Sequence, residues 1–431
     1  MATHITSSIK SLLVENAVSK RNFRYLWFSQ IFSQIATNTM VFVLALNLYH
    51  LTGSNTAVSG LFMVYGIPAV IFGMIAGAIV DKLENKKILL VCDATRFVIA
   101  ILLIFTYKNI FFIYILTFLN SIINQFYIPS EAPTIPFLVP KRLVISANSL
   151  FSFTYYSSLA IGSVLAGPLL RLFEPNQVFI LIAILFLIAF YNVTKLPAFI
   201  DDPIPFKRIF HMSFEYIITR LVVNIKEGIK YVGKSVVLKD ALILLTGTQI
   251  ILALLATLGP GFADKVMEID FRDSSLLITG PTVLGIVLGA LWVGSNTSRF
   301  STSKMTRYGI VSAGIILMAV AVIVRLSRVP LFSWIFANNV VLAVSVILFF
   351  FLGVANSLLD VPSNANLQKE ASGNMRGRVY GMLTSAVGGI GILPIVASGI
   401  LADKIGVGKV IFILGFFITM YSYFRSRNKL L

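Results

Sequence analysis

Residues 128–133 read IPSEAP and residues 361–366 read VPSNAN. At the same spacing Phe118-Leu119 is answered by Phe351-Leu352, so the match extends beyond the two hexapeptides. Each hexapeptide closes a long apolar run, and counting outward from them sets the architecture. A bilayer core of roughly 30 Å needs ~20 mostly apolar residues per helix. By that measure the chain divides into twelve spans, near 23–49, 55–80, 87–107, 110–130, 146–172, 177–196, 240–263, 273–296, 305–325, 337–361, 376–401 and 407–425. The hexapeptides fall at the matching ends of spans four and ten, equivalent places in two six-span halves. The sequence therefore predicts an all-α integral membrane protein built as a parallel tandem repeat. An N-terminal six-helix bundle covers 1–196, a connecting segment 197–239, and a C-terminal six-helix bundle 240–431.

Composition points the same way. The chain is 57% hydrophobic and 12% charged, whereas soluble domains carry about 25% charged residues. A water-soluble fold of this length lacks the interior to hide so much apolar surface. Barrel strands would be ~10 residues long with alternating polarity, and these runs are longer and uniformly apolar.

The net charge of +17 is distributed between apolar runs, not along a basic face interleaved with aromatics, so nucleic acid is not an expected partner. Most of the 35 Lys and Arg lie in the N-terminus, the even-to-odd loops and the C-terminus. By the positive-inside rule both termini are expected in the cytoplasm of a cell membrane. Trp27 and Trp334 sit where interfacial anchors belong. Within 197–239, Ile218, Leu221, Val222, Ile225, Ile229 and Val232 recur at helical spacing among many charges. That pattern predicts an amphipathic helix on the cytoplasmic membrane surface, the competing reading being a flexible tether. A single cysteine, Cys92, excludes an intramolecular disulfide, and His4, His50 and His211 are too scattered to suggest a metal site. Residues 1–21 lack the apolar core of a signal peptide.

The stretch GAIVDKLENKK (77–87) resembles the loop between spans two and three of the major facilitator superfamily, Gly-x-x-x-Asp-Arg/Lys-x-Gly-Arg-Arg/Lys. Gly77, Asp81, Lys82 and Lys86 match it, and Glu84 and Asn85 depart from it. Other stretches are similar to the macrolide-efflux and transmembrane secretion effector branch of exporters. They are RYLWFSQIFSQIA (24–36), LTGSNTA (51–57), Asp93 with Arg96, IPSEAPTIPFLVP (128–140) with ANSL (147–150), KEGIKYV (226–232), and RGRVYGMLTSAVGGIG (376–391) with LADKIG (401–406). The antiporter pattern of span five is matched at Gly167-Pro168 but not at Ser163 or Arg171-Leu172. The resemblance implies a cytoplasmic gate of Gly77, Asp81, Lys82, Lys86 and Arg376, with Asp81 facing the start of span eleven.

Ionisable groups inside spans are costly and usually face a bundle interior or a watery cavity. Asp93 and Arg96, three residues apart, share a helical face and are expected to lock spans two, three and four, with proton coupling or substrate contact as alternatives. Glu131 sits among Pro129, Pro133, Pro136 and Pro140, which are expected to end span four. There it is read as a cap for freed N–H groups, as a partner of Lys141 or Arg142, or as a coupling group. Its counterpart Asn364 cannot ionise. Asp360 near the end of span ten is a further coupling candidate. Asn38, Asn120, Asn124, Tyr155, Tyr156, Thr246 and Gln249, polar residues nearer mid-span, and Asn356, close to the cytoplasmic end of span ten, are candidates for a substrate cavity, with interhelical hydrogen bonding and packing the favoured reading for any one of them.

The one Gly-x-x-x-x-Gly-Lys-Ser string, Gly228 to Ser235, falls in the connecting segment at the end of the expected amphipathic helix and follows no strand, so it does not read as a phosphate-binding loop, and no nucleophile, base or metal cluster suggests an enzyme. The expectation is a monomeric, cofactor-free secondary exporter of a small amphipathic compound (drug, macrolide or siderophore-like) coupled to protons, with membrane lipid as its surroundings. A lysophospholipid or lipid flippase on the same fold and a non-transporting membrane sensor remain as alternatives, and the fold also works for import.

Overall fold

In the computed structural model, residues 20–80, 83–198, 230–296, 300–327, 338–370 and 386–427 are described, together with isolated positions at 18, 329, 379 and 382–383. The greater part of the expected amphipathic stretch, 199–229, lies outside the described residues. The described chain forms twelve long helices and no strand. They are α1 (Arg21–Thr52), α2 (Asn55–Val80), α3 (Asn85–Thr106), α4 (Ile110–Glu131), α5 (Val144–Leu172), α6 (Pro175–Thr194), α7 (Val236–Lys265), α8 (Gly280–Asn296), α9 (Thr302–Ser327), α10 (Asn338–Glu370), α11 (Ile392–Ile405) and α12 (Val407–Arg427). Eleven are long and apolar enough to cross a membrane. The exception, α11, is 14 residues long as described and follows a π-helical turn at Ala386–Ile390.

The two hexapeptides fold differently. α4 passes through Pro129 and stops at Glu131, followed by a 3₁₀ turn at Ala132–Thr134 and a helical turn at Ile135–Leu138. Val139 is then extended (φ −131°, ψ 149°), as a residue before proline prefers. α10 passes through Pro362 and continues to Glu370, so VPSNAN lies inside a helix instead of ending one. One proline removes a single backbone bond, which a packed membrane helix tolerates. The string of prolines at 129, 133, 136 and 140 removes several, and only the first copy has it.

Packing is inverted relative to a water-soluble protein. Phe105, Phe111, Phe153, Leu291 and Phe417 are exposed, while Ser29, Ser33, Asp93, Arg96 and Asn120 are buried. Lipid makes an apolar exterior favourable and drives polar groups inward. α3 packs on α4 and α6, α10 on α7, α8 and α9, and α12 on α9. The α8–α10 contact is backbone to backbone: a methyl on Gly285 would overlap the Phe350 carbonyl, and one on Gly353 the Thr282 carbonyl.

Contacts divide the described chain into two compact units. The first holds the chain up to Leu44, Pro68–Ser163 and the chain from Leu172 through α6. Its core includes Phe23, Leu26, Leu89, Tyr127 and Val193. The second holds Ala45–Ile67, Val164–Arg171 and the chain from α7 onward, around Leu258, Phe262, Leu317, Phe349 and Ala402. Its boundary cuts through α1, α2 and α5 because the ends of those helices pack on α7, α8 and α11.

Candidate functional site

In the first unit, the buried stripe of α3 runs Leu89, Cys92, Asp93, Arg96, Ile99, Ala100 and Leu103. That spacing places both charges on the face turned to the core, and each is 0% exposed. Ser33 on α1 donates to Asp93 Oδ1 at 2.8 Å and Ser29 to Oδ2 at 3.4 Å. Arg96 donates through Nη1 to the same Ser33 hydroxyl at 2.8 Å and through Nη2 to Asn124 Oδ1 at 2.9 Å. Its guanidinium lies 4.3 Å from the centre of the Tyr127 ring. The direct Asp93–Arg96 separation is 3.9 Å, so Ser33 is the bridge between them. These partners belong to spans one and four, whereas the sequence suggested two, three and four. Two charges in a low-dielectric core need hydrogen-bonding neighbours as well as each other. α1 supplies them along its buried row of Ser29, Gln30, Ser33, Gln34 and Thr37, a polar periodicity that sequence reading passed over.

Glu131 ends α4, one turn beyond Tyr127, and is buried. No hydrogen bond or ion pair among the described residues engages it, and its Oε1 is fully enclosed without a partner. The expected pairing with Lys141 or Arg142 is not made, since both are exposed. The expected capping of freed N–H groups is not seen either. Asn120, Asn124, Tyr127 and Glu131 lie at helical spacing along one face of α4. Asn120 is 0% exposed, with neither amide atom partnered.

In the second unit the repeat equivalents of Tyr127 and Glu131 are Asp360 and Asn364. Here the carboxylate stands one turn earlier and the asparagine serves it. Asn364 Nδ2 donates to Asp360 Oδ2 at 3.1 Å and Thr248 Oγ1 to Oδ1 at 3.4 Å. Asn356 donates to the Thr248 carbonyl at 3.4 Å. Sequence reading missed a second buried pair. Arg425 of α12 donates through Nε and Nη2 to the two oxygens of Asp240 on α7, at 2.7 and 2.6 Å, with Thr306 of α9 3.4 Å away. Arg425 had the look of one more terminal orientation charge.

The other sequence candidates are more dispersed. Asn38 is half-buried, with an unpartnered Nδ2, against Gly162 of α5. Tyr155 and Tyr156 are exposed, their rings edge-on at 5.4 Å. Thr246 is half-buried and Gln249 exposed. Of the gate candidates, Gly77 lies in the last turn of α2 and Lys86 donates to the Leu196 carbonyl. Asp81, Lys82 and Arg376 lie outside the described residues.

The second unit also holds a set of ties where α1, α5, α7 and α11 end. Ser275 Oγ accepts from the Gly167 amide at 2.9 Å, and Arg171 pairs with Asp273 at 2.8 Å. Tyr49 donates to Asp264 at 2.8 Å and Lys265 to the Gly53 carbonyl at 3.0 Å. Asp403, just past the apolar part of α11, accepts from Ser54, Asn55 and Thr56. Partial burial by itself would raise its pKa, but the hydrogen bonds from these residues outweigh that and hold the carboxyl well below the usual carboxylate range.

Comparison with known proteins places this geometry. The Major Facilitator Superfamily model matches residues 26–394. An uncharacterized MFS-type transporter, YfiS of Bacillus subtilis, is 25% identical over 382 residues, 88% of this chain and 86% of its own. The staphyloferrin A transporter of Staphylococcus aureus is 24% identical over 381 residues, 84% of this chain and 85% of its own. Macrolide efflux protein A of Streptococcus pyogenes is 27% identical over 154 residues, 34% of this chain and 38% of its own. Among solved structures, the nucleoside transporter NupG superposes with a TM-score of 0.69 at 14% identity, covering 94% of this chain and 98% of its own. A bacterial homologue of the human lysosomal transporter Spinster gives 0.70 at 11%, covering 94% and 96%. At such identities the structural likeness shows the fold alone.

Proposed function

Because the chain belongs to the major facilitator superfamily, we propose that this membrane transporter works as a proton-coupled exporter of a small amphipathic compound, by alternating access, with both termini in the cytoplasm. The observation that carries the coupling is Glu131. It is a buried carboxyl without a partner, on the α4 face that also bears Asn120, Asn124 and Tyr127. A lone carboxylate in such surroundings is expensive, and a proton removes the expense. Arg96 bonds Ser33 and Asn124 and lies over the Tyr127 ring, and it makes no direct bond to Glu131. Asp360, in contrast, is already served by Asn364 and Thr248. The substrate class rests on the relatives whose names specify macrolide efflux and staphyloferrin A transport.

The test uses inverted membrane vesicles energised to an acid interior, with a pH-sensitive dye reporting proton release. Macrolides, a catechol siderophore, cationic dyes and lysophospholipids are added in turn. Substrate-triggered proton release is expected in wild type, lost in Glu131→Gln and retained within a few-fold in Asp360→Asn. Release that persists in Glu131→Gln removes Glu131 from the coupling path. Substrate movement without proton release in the wild type overturns proton coupling.

A further inference from the structure

We propose that Asp403 is a latch. Seated on the first turn of α2, its carboxylate holds the loop end opposite the termini closed, and that end opens only when this side chain lets go. The inference rests on the alternating-access reading but on neither the substrate nor the coupling ion.

Five donors converge on the one carboxylate. The Asn55 amide and Asn55 Nδ2 reach Oδ1 at 2.9 and 3.0 Å. The Thr56 amide, Thr56 Oγ1 and Ser54 Oγ reach Oδ2 at 2.9, 2.7 and 2.6 Å. The first amides of a helix have no partner within it, and their combined dipole favours an anion. Two turns aim the groups at each other. α1 ends at Gly53, whose φ of +62° is the left-handed conformation suited to glycine, so the chain reverses directly into Ser54. α11 ends at Gly406, φ +95°, directly after the turn that carries Asp403. Behind the latch the helices touch closely: a methyl on Gly399 would overlap the Ser59 hydroxyl.

The contact is built to be reversible. Neither helix needs the other to be capped. Ser54 Oγ also accepts from the Ala57 amide at 3.3 Å, so α2 keeps its own N-cap, and the Gly406 amide bonds the Ala402 carbonyl to finish α11. All five donors come from 54–56, so moving α2 away exposes a carboxylate and open amides that water can satisfy. The neighbouring Arg171–Asp273 pair has a largely exposed arginine, and such pairs contribute little.

A recurrence in the sequence supports the assignment. Gly399-x-x-x-Asp403-Lys404 repeats Gly77-x-x-x-Asp81-Lys82. The same six-residue pattern thus closes α11 and α2, and its glycine and aspartate have visible tasks in the α11 copy: close helix approach and capping of the partner's first turn.

Ser59, 0% exposed beneath the latch, provides the reporter. In a Cys92→Ala background, Ser59→Cys is treated with a membrane-impermeant maleimide from the outer face. Slow labelling is expected, accelerating roughly tenfold or more, equivalent to about 1.4 kcal/mol, when Asp403→Asn is added. Ser54→Ala with Thr56→Val, which keeps the aspartate and removes two donors, should give an intermediate rate. Lys404→Ala should leave the rate unchanged. Equal rates with and without Asp403→Asn, in protein that remains monodisperse with an unaltered melting temperature, overturn the latch. Equal rates in the donor-deletion variant do so as well, should Asp403→Asn fail to fold. Rapid labelling of Ser59→Cys with Asp403 intact overturns it too. Because the readout needs no substrate and no proton gradient, a wrong substrate or coupling assignment leaves it unaffected.

Discussion

At the scale of residues, Ser33 explains how Asp93 and Arg96 are accommodated together in the core of the first unit. Its hydroxyl donates to Asp93 and accepts from Arg96, turning a 3.9 Å ion pair into a connected network. Arg96→Ala strands the Asp93 carboxylate with two hydroxyls, and removing one partner of a buried pair typically costs about 3–5 kcal/mol. A marked fall in melting temperature in detergent is expected, with a smaller fall for Tyr127→Leu, which leaves the Arg96 hydrogen bonds to Ser33 and Asn124 in place and removes a ring face worth about 2 kcal/mol to a desolvated cation. Melting temperatures indistinguishable from wild type for Arg96→Ala would show that water reaches the network. Sequence placed both charges on one helical face but gave no hint of Ser33. A serine in an apolar run reads as filler until its neighbour is known.

At the scale of elements, hydropathy located the helices and missed where α10 stops. The end of α4 was legible because four prolines crowd into 129–140; α10, with Pro362 alone, runs on to Glu370. The α8–α10 pair makes a sharper prediction. Gly353→Ala pushes a methyl into the Thr282 carbonyl and should destabilise by about 1–3 kcal/mol or more, the range of overpacking. Gly294→Ala on α8 meets nothing within 4 Å and should be neutral or stabilising by up to ~1 kcal/mol through helix propensity. Paired thermal melts decide the matter, and equal shifts would mean that α8 and α10 do not touch through backbone.

At the scale of the whole molecule, the proposed proton coupling and the proposed end closure make separate predictions. The Asp403 carboxyl titrates below the usual carboxylate range, so its contribution to closure is complete above the unfolded value of ~3.9 and is lost only as pH falls through the lower folded value. From about pH 5 to 8, well above that unfolded value, labelling of Ser59→Cys, normalised to an exposed cysteine, should therefore be flat. A rise toward the acid end would assign proton sensing to the latch in place of Glu131. The sequence by itself determined the membrane setting, the helix count, the tandem repeat and the family, because each depends on run length, composition or local pattern. The tertiary structure alone decided the partners: Asp93 with α1, Asp240 with Arg425 at 185 residues' separation, and Asp403 with Asn55 at 348. Hydropathy tells each helix to enter the membrane. Which helices become neighbours depends on small residues and buried polar groups meeting across the fold, and no local pattern carries that information.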